Sequence, residues 1–98
     1  MYKQISQKEF ELRTEKLENR RATLKLNSIF SLDCCIDDFQ FDNNEDSYEF
    51  SCESFSCCIE KDYISSLSSS EYLYDDEEQI KISLLGDTEI IIYCDCLQ

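Results

Sequence analysis

Ile80-Lys81-Ile82-Ser83-Leu84-Leu85-Gly86-Asp87-Thr88-Glu89-Ile90-Ile91-Ile92-Tyr93-Cys94-Asp95-Cys96 decides the fold class. Ile80, Ile82 and Leu84 share one phase of a two-residue period, and Ile90, Ile92, Cys94 and Cys96 share another. Successive side chains of a strand point to opposite faces, so each run gives a strand with one apolar face. Gly86-Asp87 between the runs suits the left-handed backbone of a tight turn. The chain therefore closes on an antiparallel hairpin over 80–97.

The same reading extends toward the N-terminus. Phe55, Cys57 and Ile59 alternate as a strand. Tyr48, Phe50 and Cys52 alternate with Glu49, Ser51 and Glu53, and Phe39 and Phe41 alternate with Asp38, Gln40 and Asp42. Asp42-Asn43-Asn44-Glu45-Asp46 is rich in turn formers and joins the last two runs as a hairpin. The apolar phase shifts between Cys52 and Phe55, which indicates a bulge or short turn. Leu24, Leu26, Phe30 and Leu32 share a phase and read as one half-buried strand. Residues 61–74 fit neither period cleanly. Asp62 is placed to cap a short helix carrying Tyr63, Ile64 and Leu67, but the serine run is a poor helix interior. Residues 65–78 accordingly read as a soft acidic loop.

The first 22 residues read as a basic helix. Ser6-Gln7-Lys8-Glu9 is a capping box, with Ile5 and Phe10 positioned as a hydrophobic staple. Glu9–Arg13 and Glu18–Arg21 are favourably spaced ion pairs. The apolar stripe is thin, Phe10, Leu17 and Leu24 falling seven apart. The expected fold is α+β: an N-terminal helix packed on a mostly antiparallel sheet of four to six strands. It forms one small acidic domain over 1–98, with 1–22 the basic helix and 23–98 the acidic β-rich part.

Charge divides along the same boundary. Residues 1–25 hold seven basic and four acidic side chains, a balance of +3. The other 73 hold only Lys61 and Lys81 against 18 acids, a balance of −16, and the whole 98-residue chain carries −13. Solubility alone calls for a magnitude of about 2–8 in a small domain. Concentrated like charge also destabilises the compact state, so the excess points to a partner.

Composition excludes several chemistries. Without His there is no Ser-His-Asp or Cys-His pair and no His-ligated metal. One Gly leaves no Walker or Rossmann phosphate loop. The acidic excess repels a phosphate backbone, so direct DNA binding is not expected. No apolar run approaches the length of a membrane span. Met1–Lys8 lacks the apolar stretch of an export signal, and a cytoplasmic location is expected.

The seven cysteines lie at 34, 35, 52, 57, 58, 94 and 96. An odd count without an export signal argues against a disulfide framework. The C-x2-C spacing of a zinc knuckle is absent, and alternate strand residues such as Cys94 and Cys96 sit about 6.8 Å apart. Cys52, Cys57, Cys94 and Cys96 read as small buried hydrophobes, and no metal or cofactor is expected. Every thiol lies in an acidic stretch, which disfavours a reactive thiolate. Asp42, Asn44, Asp46 and Glu53 match positions of a calcium-binding EF-hand loop, but Ser47 replaces its obligatory Gly and Glu49 an apolar residue. A hairpin tip of solvated acids is the better reading.

In size, acidity and lack of catalytic motifs the chain resembles phage anti-CRISPR and other DNA-mimic anti-defence proteins. No motif of a particular family is matched, and no functional residue is carried over. The resemblance implies a small protein inhibitor, not an enzyme, that fills the nucleic-acid groove of a nuclease or CRISPR effector complex. Its partner would be a basic nucleic-acid-binding protein. Candidate contacts are Asp37, Asp38, Asp42, Glu45, Asp46, Glu49 and Glu53 in the hairpins and Asp75, Asp76, Glu77 and Glu78 in the loop. Tyr48, Tyr72 and Tyr74 are candidate anchors. An immunity protein against a nuclease toxin shares this physics, and a zinc-stabilised structural or adaptor module is the alternative of another kind.

Overall fold

A computed structural model describes residues 2–53, 55–71 and 78–94. The elements in chain order are β1 (Lys3–Gln4), α1 (Gln7–Glu15), β2 (Ala22–Asn27), β3 (Ser31–Ile36), β4 (Gln40–Asn43), β5 (Ser47–Cys52) and β6 (Phe55–Glu60). A single 3-10 turn (Lys61–Tyr63) then leads to β7 (Ile64–Glu71), β8 (Glu78–Leu84) and β9 (Thr88–Cys94). The class is α+β, with one helix and two antiparallel sheets among the described residues. One sheet has six strands in the order β1-β7-β8-β9-β2-β3, and the other has three in the order β4-β5-β6.

The expected closing hairpin is present as β8 and β9, with Ile80 opposite Ile92 and Ile82 opposite Ile90. Its loop holds Gly86 at φ 84° and Asp87 at φ 63°, two consecutive left-handed residues. Glycine meets that geometry without the Cβ penalty. The hairpin of Phe41 and Phe50 is also present as β4 and β5, and the phase shift after Cys52 falls where the register sets Cys52 opposite Phe55.

Four expectations need correction. First, the strands form two sheets instead of one, because β4–β6 leave the first sheet and pack their own apolar face against it. Second, Leu24 through Leu32 is a hairpin and not one strand. Leu26 sits opposite Leu32, and a three-residue loop keeps both on the same face, so the period runs unbroken through the turn. Third, the helix stops at Glu15. Beyond it the chain tightens into i→i+3 turns, Asn19 adopts φ 65°, and Asn19 and Arg20 bond the backbone of Phe39. Leu17 is buried by that turn, not by a continued helix.

Fourth, the serine run is a strand interior to the sheet, paired to β1 on one side and β8 on the other. Ser68, Ser69 and Ser70 are buried. β1 lies alongside as the edge strand, and the small side chains of Ser68 and Ser70 leave room for the Tyr2 side chain to pass over β7. Tyr2 hydrogen-bonds Gln79 and stacks on Lys81, the residues opposite Ser70 and Ser68.

The apolar faces of both sheets share one core with Phe10 of α1. Phe10 is fully buried, 5.0 Å from the Tyr48 ring and 6.1 Å edge-on to Phe41. Phe41 stacks on Tyr48 and Phe50 at 5.6 Å each. The isoleucines of β8 and β9 supply the opposing wall. Ser6 caps α1 by accepting from the Glu9 amide at 3.1 Å, while the Glu9 carboxylate goes to Arg13 at 2.7 Å.

Candidate functional site

The three-stranded sheet has two unlike faces. Phe41, Tyr48, Phe50, Cys57 and Ile59 point to the core. Alternation sends Gln40, Asp42, Ser47, Glu49, Ser51, Ser56, Cys58 and Glu60 outward. Register sets Asp42 directly opposite Glu49, Glu49 opposite Cys58, and Glu60 opposite Ser47. Directly opposite residues have Cβ atoms about 4.5–5.5 Å apart, and like charges there repel. Glu45 and Asp46 extend the charge at the β4–β5 tip, and Glu53 extends it at the β5–β6 turn; all three are exposed.

Little on this face neutralises the carboxylates. Ser56 donates to Glu49 at 3.0 Å. Lys61, beside the sheet, is turned elsewhere: its ammonium donates to Asn43 at 2.9 Å and lies 4.7 Å from the Tyr48 ring centroid.

The predicted site residues do not form one cluster. Asp42, Glu45, Asp46, Glu49 and Glu53 belong to the sheet face and its tips. Asp37 and Asp38 are exposed in the β3–β4 connection, where Asp37 lies 3.7 Å from Arg21 and Asp38 takes φ 55°. Glu78 begins β8. Tyr72, Tyr74, Asp75, Asp76 and Glu77 lie outside the described residues. Glu60 completes the acidic face. Its alternation with the buried Ile59 sends it outward.

Tyr48 is not a surface anchor. It is 1% exposed, and its hydroxyl donates to Glu11 at 2.7 Å. Burial and the neighbouring Glu11 carboxylate push the Tyr48 phenol above its ordinary range. Burial pushes the Glu11 carboxyl up, but hydrogen bonds from Tyr48 and Gln7 and the charge of Lys61 outweigh it, leaving it below its ordinary value. The pair ties α1 to the small sheet.

The thiols are partly placed. Cys52 and Cys57 are half-buried against the core, and burial, then Cys58 and Cys34, raise the Cys57 thiol. Among the described residues no three Cys, Asp or Glu side chains converge as metal ligands. Every buried side-chain nitrogen or oxygen among them has a hydrogen-bond partner, so no orphaned polar group marks an internal site. Among the described residues no helix is long and apolar enough to cross a membrane. Compared with family models, curated proteins and solved structures, the chain matches none.

Proposed function

We propose that the protein is a binding protein, not an enzyme, whose acidic sheet face occupies the basic groove of a nucleic-acid-binding protein. In the form suggested by its size and charge it acts as an inhibitor of a nuclease or CRISPR-type defence complex. The observation that carries this reading is the direct opposition of Asp42 and Glu49 on an outward face, with Glu60 on the next strand. Such a pair costs stability in the isolated protein. A basic groove converts that cost into charge-assisted hydrogen bonds. Alternate strand positions lie about 6.8 Å apart, twice the roughly 3.4 Å rise between phosphates on one DNA strand, so the face imitates a phosphate track loosely. In this reading α1 packs against the sheets as a structural wedge through Phe10, and the cytoplasm is the place of action.

The test is capture of partners from bacterial lysate at low salt, release by a salt step, and challenge with DNA or guide RNA. A single nuclease or effector displaced by nucleic acid and lost on Asp42→Lys/Glu49→Lys supports the proposal. A partner retained by that variant, or one that nucleic acid does not displace, overturns it.

A further inference from the structure

Five exposed apolar side chains lie along one end of the six-stranded sheet. Ile29, Phe30, Leu32, Tyr63 and Leu85 are 98%, 56%, 49%, 56% and 61% exposed. Strand register brings all five to the same end of the six-stranded sheet. The tips there are tied together: Ser28 Oγ lies 3.2 Å from Thr88 Oγ1, and the Leu85 amide donates to the Tyr63 carbonyl at 2.9 Å.

Between these tips and β6 lies a cavity of about 480 Å³, whose apolar lining includes Cys57, Ile59, Tyr63, Leu84, Leu85 and Ile90. The opening has a structural cause. Along the core-facing side of β3, exposure rises from 1% at Ile36 to 49% at Leu32. The three-stranded sheet covers one end of the larger sheet and stops short of the other. Single exposed apolar residues are ordinary, whereas a contiguous patch marks a docking surface.

The rim has a charge of one sign. The segments beside the cavity, 57–63 and 84–88, carry Glu60, Asp62 and Asp87 against Lys61. The Lys61 ammonium faces Asn43 and the Tyr48 ring. Asp33 and Glu89 belong to the other face of the larger sheet, opposite Lys25 and beside Lys81.

We propose that this end of the sheet docks a segment of a partner protein whose apolar side chains are flanked by Lys or Arg. The apolar side chains enter the cavity beside Tyr63 and Leu85 and extend along the open end toward Phe30, and the cations meet the acidic rim. A second copy of the chain fits poorly, since it brings the same acidic rim and a further charge of −13. The surface shares Glu60 with the acidic face but uses neither Asp42 nor Glu49, so substitutions at those two separate this inference from the acidic-face reading.

The probe is a short synthetic peptide with Leu and Lys at helical spacing. Its controls replace Leu by Ser or Lys by Glu. Saturable binding is expected, with amide shifts at 28–32, 63 and 84–88. Ile29→Ser/Phe30→Ser/Leu85→Ser is expected to weaken binding about tenfold or more, and Asp42→Asn/Glu49→Gln to change it less than about twofold. All three serine substitutions are at exposed positions, and a thermal melt checks folding. If the triple variant melts early, Ile29→Ser alone is expected to weaken binding about threefold. The proposal is overturned by no saturable binding, by equal binding of the Leu/Glu peptide, or by a loss that follows Asp42 and Glu49 instead. A dimer in sedimentation that the triple variant dissolves also overturns it.

Discussion

The outer faces of the two sheets are built from the same alternation but solve the charge problem in opposite ways. On the six-stranded sheet Lys25 sits opposite Asp33, and Lys81 reaches Glu89 at 3.5 Å. On the three-stranded sheet Asp42 sits opposite Glu49, with Glu60 nearby. The first face pairs opposite charges within the molecule. The second concentrates like charges in register, which the isolated protein tolerates at a cost. The whole-chain charge of −13 conceals this division.

The comparison presupposes two sheets on one core. Phe50 is fully buried and touches Phe39 and Phe41, so Phe50→Ala is expected to cost about 3–5 kcal/mol, a large part of a small domain's stability. Urea denaturation followed by tyrosine fluorescence measures it. Separate transitions for the two sheets would break the comparison at its root.

The next effect is at the junction of α1 and the small sheet. Tyr48→Phe removes the hydroxyl that donates to Glu11 and is expected to cost about 1 kcal/mol at neutral pH. The Glu11 carboxyl is held below 4.5 in the folded protein. Its stabilising contribution is therefore present above that pH and is lost as pH falls through the lower folded value. The Tyr48 phenol is raised from 10.0, so its contribution is present below that pH and is lost as pH rises beyond it. Melting curves of Tyr48→Phe are expected to show shallower losses of stability at both extremes than the parent protein.

The smallest effects sharpen the contrast most. Asp42→Lys turns a like pair into an opposite pair and is expected to raise stability by about 0.2–1 kcal/mol. Lys25→Glu does the reverse opposite Asp33 and is expected to lower it by a similar amount. Both differences should shrink in high salt as the charges are screened. Denaturation at two salt concentrations reads the opposed signs, and equal signs would remove the distinction between the faces.

Where the sequence was legible, the period was local. Ile80 to Ile92 and Phe39 to Ile59 specify their strands because alternation and turn residues act within a few positions. Residues 24–32 misled because an odd-length loop preserves the period through a reversal of direction. The serines of β7 were illegible because their reason is non-local: Tyr2 passes over them to reach Gln79 and Lys81. Tyr48 looked like a surface anchor beside Glu49, but the opposite phase of the strand aims it at Phe10.

By itself the sequence determined which residues alternate, where the chain turns, and that acids crowd the part after residue 25. These follow from side-chain chemistry and the two-residue repeat of a strand. Only the tertiary structure decided that the strands divide into two sheets, that Asp42 meets Glu49, and that one apolar end stays open. Those depend on pairings between residues distant in sequence, which are set by how two unequal sheets cover each other and not by any local pattern.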